Sequence, residues 1–388
     1  MQPKTSVKMD EKSFSRLKKT IKNMVNCEKQ LMLNPQYSME LPEEIGLQLT
    51  SRCNLRCKHC FEWSEHGYNH SVNKCIASDE INIELLEKIL YETSEAKSGL
   101  YLWGGEPLVY SKWDEFSLML EKDPRWSVLC TNGIKVIEKM DSLLRISSNL
   151  GILTSLEGFE HENDMIRGEG NFRKTLEGIQ EIENLRKRGI YKGLQSVNCT
   201  INDAMIGKLY EFVEYCEELN LNTIYLGFPW YISDTIAKKM DEYFEQRFGW
   251  LADKKSERSW YSFDYHISKD KVDDLVRDLE RICRRTWKIR IRFQPALELE
   301  QVPPYIRGEM TTAQNKQHCL ALANRMDVLS DGSVSACKLF SEFKVGNLYE
   351  STVKEVWKSD CFNKIREEIW TEIMPVCSRC ILLYLNGK

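Results

Sequence analysis

Three cysteines close together in the first part of the chain have the type and spacing that suit iron–sulfur chemistry. Cys53, Cys57 and Cys60 form a C-x3-C-x2-C loop within the run SRCNLRCKHC. A four-iron cluster normally takes four cysteine ligands, so three thiolates leave one iron open to bind a small molecule directly. The nearest further cysteine is Cys75. The spacing therefore predicts a cluster with one open iron.

Zinc is the alternative occupant of this loop. A structural zinc site needs four ligands, and a histidine could supply the fourth. The candidates are His59, His66 and His70. A chain with zinc at this place would be a zinc-stabilised binding protein and not an enzyme. The spacing of the cysteines leaves both alternatives open.

Four further segments, with the cysteine loop, resemble the radical S-adenosylmethionine (SAM) superfamily. Trp103–Pro107 is similar to the GGEP segment of that family, Thr131–Gly133 to its TNG segment, and Ser155–Gly158 to its S-x-D-G segment. They follow one another in the order that the family has. Asp164–Phe172 is similar to the D-x-x-R-G-x-G-x-F stretch of members that carry extra clusters. Together these segments extend the resemblance over most of residues 44–388.

This resemblance implies an oxidoreductase with a [4Fe-4S] cluster whose open iron chelates the amine and carboxylate of SAM. Reductive cleavage of SAM would produce a 5′-deoxyadenosyl radical that abstracts a hydrogen atom from a substrate. We expect that substrate to be a peptide or protein side chain or backbone. The alternative is dehydrogenation of a small-molecule alcohol or a tetrapyrrole. An external electron donor such as flavodoxin or ferredoxin is also implied.

The GGEP-like segment is expected to contact the amine of SAM. Gly104 and Gly105 lack side chains, so their bare backbone groups can come close to a ligand. Glu106 can complement the positive charge of the amine or the sulfonium. The three residues are therefore predicted to bind the cofactor.

Other SAM-binding positions follow from the resemblance alone. Ser155 and Arg167 would hold the carboxylate or the ribose of SAM, Arg167 through a charge-assisted hydrogen bond. His59 would lie near the adenine. Glu157 stands where the family usually has Asp, and its longer side chain moves the carboxylate by one methylene. The sequence does not assign Glu157 a role.

A second group of four cysteines near the end of the chain predicts an auxiliary metal centre. Its candidate ligands are Cys319, Cys337, Cys377 and Cys380. An Asp331–Gly332 turn between alternating residues predicts a hairpin in this region. The segment is similar to a twitch or truncated SPASM domain, which implies one auxiliary [4Fe-4S] cluster. Four protein thiolates would close that cluster and favour electron transfer, although the same ligands would also suit zinc.

Three other cysteines are predicted to be ordinary thiols. Cys361 lies inside a helical pattern, where a buried structural thiol is expected and a cluster ligand is the alternative. Cys130 and Cys199 lie on predicted strands. Each is expected to be a small core residue, and the alternative role is the return of a hydrogen atom to a substrate radical.

Alternating strands and helices from residue 44 onward are predicted to position these motifs. Apolar runs predict strands at 45–49, 100–103, 128–130, 152–154, 195–200 and 223–226, and helical patterns separate them near 81–96, 134–145, 171–188 and 203–219. Such βα units form a parallel sheet or barrel, and the loops after the strands meet at one rim. The cysteine loop and the GGEP, TNG and SLEG segments each follow a predicted strand. We therefore expect an α/β fold, a partial (β/α)6 TIM-like barrel with a small C-terminal α+β iron–sulfur domain.

The chain divides into four predicted regions. They are an N-terminal helical extension (1–43), the partial barrel (44–227), an insertion or linker (228–300) and the auxiliary iron–sulfur domain (301–388). Residues 12–29 are predicted to form an amphipathic helix for packing or partner contact, with Phe14, Leu17, Ile21 and Val25 on one face. Within the insertion, 288–293 alternates as a strand whose basic face is expected to be a solvated edge.

Composition argues against two classes of partner. A chain of 388 residues with a formal charge of −4 has no strong positive footprint for nucleic acid or an anionic membrane. No run of about 18 apolar residues is present to span a membrane. We therefore expect a cytoplasmic protein. Its 14 cysteines are then expected to be metal ligands and buried thiols, because the cytosol keeps thiols reduced.

Overall fold

The structure is a computed structural model, which describes residues 1–69, 79–251, 258–310 and 316–387. Two residues considered above as metal ligands, His70 and Cys75, lie outside the described residues.

Strands of the described residues form one large sheet and one small one. They are β1 (Lys4–Thr5), β2 (Glu44–Gln48), β3 (Gly99–Trp103), β4 (Ser127–Thr131), β5 (Leu150–Ser155), β6 (Leu194–Thr200), β7 (Thr223–Gly227), β8 (Thr286–Trp287), β9 (Arg290–Gln294), β10 (Arg325–Val328), β11 (Ser333–Ser335) and β12 (Lys344–Asn347). The large sheet has the order β12-β11-β10-β2-β3-β4-β5-β6-β7-β9, and β1 pairs with β8.

Helices alternate with the strands of the sheet. They are α1 (Glu11–Leu33), α2 (Ile83–Glu92), α3 (Trp113–Lys122), α4 (Met140–Ile146), α5 (Glu160–Arg167), α6 (Asn171–Lys187), α7 (Leu209–Glu218), α8 (Asp234–Phe248), α9 (Val272–Arg284), α10 (Val302–Ile306), α11 (Ala321–Asn324), α12 (Val353–Trp357), α13 (Asp360–Thr371) and α14 (Ile381–Asn386).

All six strands predicted for the barrel are present, and β2 to β7 pair in parallel in chain order. Parallel strands are buried on both faces, which explains why their sequences are short apolar runs. The intervening helices pack by one apolar face: α2, for example, begins at Asn82, whose side chain caps it, and buries Leu85, Leu86, Ile89 and Leu90. The predicted α/β architecture is confirmed.

The parallel sheet extends beyond six strands on both sides. β9, from the region to which the sequence assigned no role, pairs in parallel with β7 and is the edge strand, as predicted. Its outward-facing Arg292 is exposed, whereas Ile291 and Phe293 are buried. On the other side, β10 pairs in parallel with β2 and forms the predicted hairpin with β11, and β12 pairs in turn with β11. The C-terminal region therefore joins the barrel through a shared sheet.

The N-terminal helix α1 is longer than predicted, and its apolar stripe faces outward. Phe14 is 59% exposed and Ile21 is 51% exposed, whereas Cys27 and Leu31 are buried in a small cluster with Leu320. The first half of α1 instead meets the barrel through polar groups, since Lys12 donates to the Ser148 carbonyl at 2.6 Å. Periodicity predicted an amphipathic helix but could not show which face would contact the barrel.

Alanine substitutions in α1 should separate its two faces. Leu31→Ala should lower the free energy of unfolding by about 2–3 kcal/mol, because it empties a packed site. Ile21→Ala should change the same free energy by less than about 0.5 kcal/mol, because that side chain is half exposed. Equilibrium urea unfolding measures both, and equal losses would contradict the observed orientation of the helix.

None of the helices in the described part of the chain is both long enough and apolar enough to cross a membrane.

Candidate active site

A cavity of about 310 Å³ lies at the carboxyl ends of the parallel strands. Barrel enzymes place their chemistry at this rim because the loops after the strands converge there. The cavity lining includes all nine residues predicted for the first cluster and SAM: Cys53, Cys57, His59, Cys60, Gly104, Gly105, Glu106, Ser155 and Arg167. Residues spread over 115 positions of sequence are thus brought to one place.

The three thiols of the cysteine loop lie close enough to influence one another. Burial, with smaller contributions from the nearby Glu106, Cys57 and Cys60, raises the pKa of Cys53 to about 12. Backbone amides hold the loop in place: Leu55 donates to the Cys53 Sγ at 3.4 Å and Trp63 to the Cys60 Sγ at 3.3 Å. Protons are difficult to remove from such thiols unless a metal takes their place. This set of soft ligands in a buried loop fits the iron cluster predicted from the spacing.

The two glycines of the GGEP-like segment allow β3 to approach the cysteine loop. A Cβ at Gly104 would lie 2.3 Å from the Thr50 carbonyl oxygen, and one at Gly105 would lie 2.2 Å from that of Arg52. In this arrangement Gly105 N–H donates to Thr50 at 3.0 Å, and Glu106 N–H donates to Arg52 at 2.8 Å. Side chains at these two positions would therefore clash with the loop that carries the cysteines. This packing requires glycine independently of any contact with SAM.

The Glu106 side chain ties the GGEP-like segment to the TNG turn. Its carboxylate accepts hydrogen bonds from the Thr131 hydroxyl and the Asn132 amide, both at 2.7 Å. Asn132 in turn donates through its side chain to Asn54 of the cysteine loop at 2.7 Å. Glu106 is buried yet lines the cavity. A contact with the SAM amine stays a prediction, and the structure adds a positioning role that the motif did not reveal.

Glu157, whose role the sequence left open, lies at the centre of a buried charged group. Its Oε1 accepts from Arg167 Nε at 3.2 Å and lies 3.0 Å from His59 Nε2. Its Oε2 accepts from the Thr200 amide at 2.5 Å. Burial opposes its ionisation, but Arg167 and His59 lower the pKa of Glu157 to about 2. The carboxylate therefore stays charged and orients two side chains that were predicted to contact SAM.

Arg167 also connects this group to the cysteine loop. Its Nη1 lies 3.7 Å from the Cys57 Sγ, and only 8% of the residue is exposed. A guanidinium at this position compensates negative charge on a cluster thiolate and can offer further donors to a carboxylate. The arrangement thus suits an anionic metal cluster beside a ligand with a carboxylate group.

The four cysteines of the C-terminal region also come together. Burial raises the pKa of Cys377 well above its usual value, and Cys380, Cys319 and Cys337 raise it further. Cys361, on α13, is half buried and is influenced by Lys364 but by none of these four thiols. Four convergent thiols fit a closed cluster, whereas the surroundings of Cys361 agree with its interpretation as an ordinary thiol.

Comparisons with known proteins agree with both metal sites. A family model described as the radical SAM superfamily matches residues 47–227, and one described as an iron–sulfur cluster-binding domain, SPASM, matches residues 319–381. The chain contains a radical SAM domain and a SPASM domain. As a radical SAM enzyme with a SPASM domain, it uses SAM, a SAM-binding [4Fe-4S] cluster and auxiliary iron–sulfur ligation as its cofactors.

Individual relatives of this radical SAM enzyme differ in what they make. Pre-heme d1 synthase from Dinoroseobacter shibae is 24% identical over 355 residues, which are 89% of this chain and 80% of that protein. The sporulation killing factor maturation protein SkfB from Bacillus subtilis is 24% identical over 177 residues, 45% of this chain and 40% of that protein. The crystal structure of Streptococcus suis SuiB bound to precursor peptide SuiA has a TM-score of 0.56 at 18% identity, covering 90% of this chain and 71% of that one. At this identity the SuiB structure supports the fold alone.

The sequence did not predict the residues that cover the radical SAM cavity from outside the barrel. Trp230, Phe263 and Tyr265, from the 228–300 region, line it together with Gln294 of β9. Phe61, next to Cys60, stacks on Phe263 with ring centroids 4.5 Å apart. These aromatic residues lie in a region whose sequence has no regular apolar pattern. The sequence therefore did not indicate that they would contact the cavity. By contrast, the polar Asn198 and Thr200, at alternate positions near the end of β6, were a recognisable sign of an inward face.

The two strand cysteines differ in their position. Cys130 lines the cavity, and its thiol donates to the Tyr101 hydroxyl at 2.8 Å. Cys199 is fully buried in a core cluster with Phe212, Ile224 and Leu275, in agreement with its interpretation as a core residue.

Alanine substitutions should distinguish ligands from bystanders in the SPASM domain. Cys337→Ala should reduce the iron content of the reconstituted enzyme by up to about four atoms per chain, because it opens a cluster that needs four thiolates. Cys361→Ala should leave the iron content unchanged. Iron and sulfide analysis of both variants checks this, and iron loss in the Cys361 variant alone would contradict the assignment.

Proposed function

We propose that this radical SAM enzyme is an oxidoreductase that reductively cleaves SAM and abstracts a hydrogen atom from a peptide or protein substrate. The observation that carries the proposal is the cavity that brings the three thiols of the cysteine loop together with Gly104, Glu106 and Arg167. When bound there, the cluster and SAM supply a 5′-deoxyadenosyl radical as the hydrogen-abstracting agent. A low-potential donor such as flavodoxin or ferredoxin and a cytoplasmic location belong to the same proposal.

Residues of the chain would bind and orient SAM in this cavity. Cys53, Cys57 and Cys60 would hold the cluster, and Arg167, oriented by Glu157, would receive the SAM carboxylate. The positions of Ser155 and His59 on the cavity wall suit contacts with the ribose and the adenine. These assignments rest on the shared cavity and on the hydrogen bonds that fix the side chains before a ligand binds.

Aromatic side chains would keep water away from the reacting groups. Phe61 stacks on Phe263 and lies 5.7 Å from Trp230, centroid to centroid. This stack covers the cavity beside Cys60, and a dry site protects a reactive radical from side reactions. We therefore propose that the 228–300 region serves as a cover for the active site.

A peptide substrate is supported by two of the similar proteins. The name of SkfB states that it is a maturation protein for a sporulation killing factor, and the SuiB structure contains a precursor peptide. The fold does not choose among substrates, so the support comes from these names and from the second cavity described below.

Anaerobic reconstitution followed by reduction with dithionite tests the proposed reaction. The reduced enzyme should form 5′-deoxyadenosine from SAM, and a fully loaded sample that never does so would overturn the proposal. Coexpression with candidate precursor peptides, followed by mass spectrometry, should show a peptide mass lowered by two hydrogen atoms or otherwise altered.

Dehydrogenation of a small-molecule alcohol or a tetrapyrrole is the second candidate function. It is favoured by the alignment with pre-heme d1 synthase, which extends over 89% of this chain. Unchanged peptides together with SAM cleavage stimulated by a tetrapyrrole would favour this alternative.

A further inference from the structure

A second cavity lies between the barrel and the C-terminal region. Its volume is about 890 Å³, and its lining includes Trp103 at the end of β3, Ser262 and Lys338. Ser262 also lines the SAM cavity, so the two cavities are neighbours. A substrate bound in the larger cavity can therefore extend toward the reacting groups.

Lys338 places an ammonium group in this cavity without an anionic partner. Its Nζ lies 3.9 Å from the ring centroid of Tyr101 and 5.0 Å from that of Trp103. No hydrogen bond or ion pair joins it to another residue in the described parts of the chain. Aromatic rings attract a cation, but they provide no acceptor for its three N–H groups.

Three carboxylates in the surroundings of Lys338 are already bound to another cation. Asp327 accepts two hydrogen bonds from Arg325, at 2.8 and 2.9 Å, and Glu44 also pairs with Arg325. Asp331, on the cavity wall, pairs with Lys344 at 2.8 Å. Glu62 also lies within electrostatic range of Lys338, but no ion pair joins the two among the described residues. The ammonium group therefore has no directly bound carboxylate in this part of the structure and is available to a ligand.

Trp103 adds a second donor beside Lys338. The residue is 8% exposed, and its indole Nε1–H has no acceptor in the described structure. Buried donors are nearly always paired, because an unpaired one has lost its hydrogen bonds to water without replacing them. A ligand group that accepts hydrogen bonds and carries negative charge would satisfy both Lys338 and Trp103.

Tyr101 connects this position to the SAM cavity. The Tyr101 ring lies under Lys338, and its hydroxyl accepts a hydrogen bond from Cys130, which lines the SAM cavity. The Tyr101 side chain thus lies between a group bound at Lys338 and the wall of the SAM cavity.

We propose that Lys338 and Trp103 form a subsite that binds a carboxylate of the substrate. The inference rests on the proposed function and specifies it: the substrate carries a carboxylate at a distance from the carbon that loses hydrogen. An acidic side chain of a peptide and a propionate of a tetrapyrrole share this chemistry, and the experiment below distinguishes them.

Binding measurements with matched probes test the subsite in the reconstituted enzyme with SAM bound. One pair of probes is a capped peptide with a single glutamate and its glutamine counterpart. The other pair is coproporphyrin III and its tetramethyl ester. The enzyme should bind at least one acid about tenfold more tightly than its neutral analogue, because a charge-assisted hydrogen bond is lost in the analogue. Preference within the peptide pair indicates an acidic side chain, and preference within the porphyrin pair indicates a propionate.

Variants then assign the preference to the proposed residues. Lys338→Met should abolish it, Lys338→Arg should retain most of it, and Trp103→Phe should reduce it while keeping the ring. Lys344→Met is the matched control, since Lys344 lines the same cavity but already pairs with Asp331. The proposal is overturned if Lys338→Met keeps the preference, or if neither acid binds more tightly than its neutral analogue up to millimolar concentration.

Formation of 5′-deoxyadenosine in the same preparations separates this inference from the proposed function. Wild-type enzyme that prefers the acids but never cleaves SAM would support the subsite and overturn the proposed reaction. Wild-type enzyme that cleaves SAM but binds the acids no more tightly than their neutral analogues would support the proposed reaction and overturn the subsite.

Discussion

Cys57→Ala should remove about four of the roughly eight iron atoms expected per chain and abolish SAM cleavage. Cys57 is the most buried of the three loop cysteines, at 8% exposure, and its Sγ lies 3.7 Å from Arg167. A cluster with only two protein thiolates has lost one of three anchors, so reconstitution should fail at this site. Iron and sulfide analysis, with 5′-deoxyadenosine measured after reduction, gives both results.

Cys283→Ala is the control for this prediction. Cys283 is partly buried on α9 and packs against the core cluster that contains Cys199, and no thiol of either group of candidate ligands influences it. It should keep its full iron content and its activity. A Cys57 variant with the same iron and activity as this control would show that the loop does not hold the catalytic cluster.

Glu157→Met should lower the free energy of unfolding by about 3 kcal/mol, because it leaves the buried Arg167 guanidinium without its carboxylate. Glu157 is completely buried and accepts hydrogen bonds from both Arg167 and the Thr200 amide. The variant should also bind SAM more weakly, since Arg167 and His59 lose the group that orients them. Urea unfolding and equilibrium SAM binding measure the two effects.

Two comparisons make this prediction specific. Glu138→Ala, which breaks the exposed pair with Lys135, should cost less than about 0.5 kcal/mol. The double variant Glu157→Met with Arg167→Met should lose less stability than Glu157→Met alone, because no unpaired charge stays buried. Additive losses in the double variant would show that the buried pair is not coupled.

Sequence patterns were sufficient for the barrel because its strands are buried on both faces. A strand such as β5 is a short apolar run between turn residues, and a helix such as α2 has a clear 3.6-residue period. The motifs after the strands could then be placed at one rim by topology alone. The cysteine spacing predicted the chemistry for a similar reason, since ligand type and number limit which metal centre can form.

Contacts between residues that are far apart in the sequence could not be predicted from these patterns. The outward orientation of the stripe with Phe14 and Ile21 depends on which side of α1 meets the barrel, and periodicity is the same for either side. The parallel pairing of β10 with β2 joins residues about 280 positions apart. The sequence around one strand does not indicate which distant strand will pair with it.

The sequence by itself determined the chemistry available to this protein: two groups of cysteines, a glycine-rich segment that follows a strand, and an arginine. Only the tertiary structure decided what those groups do for one another. Glu157 lies between Arg167 and His59, and the two glycines allow the cysteine loop to pack closely against them. Lys338 lies over the rings of Tyr101 and Trp103. The physical reason is that ligand identity is a property of single side chains, whereas charge compensation, burial and access are properties of their surroundings.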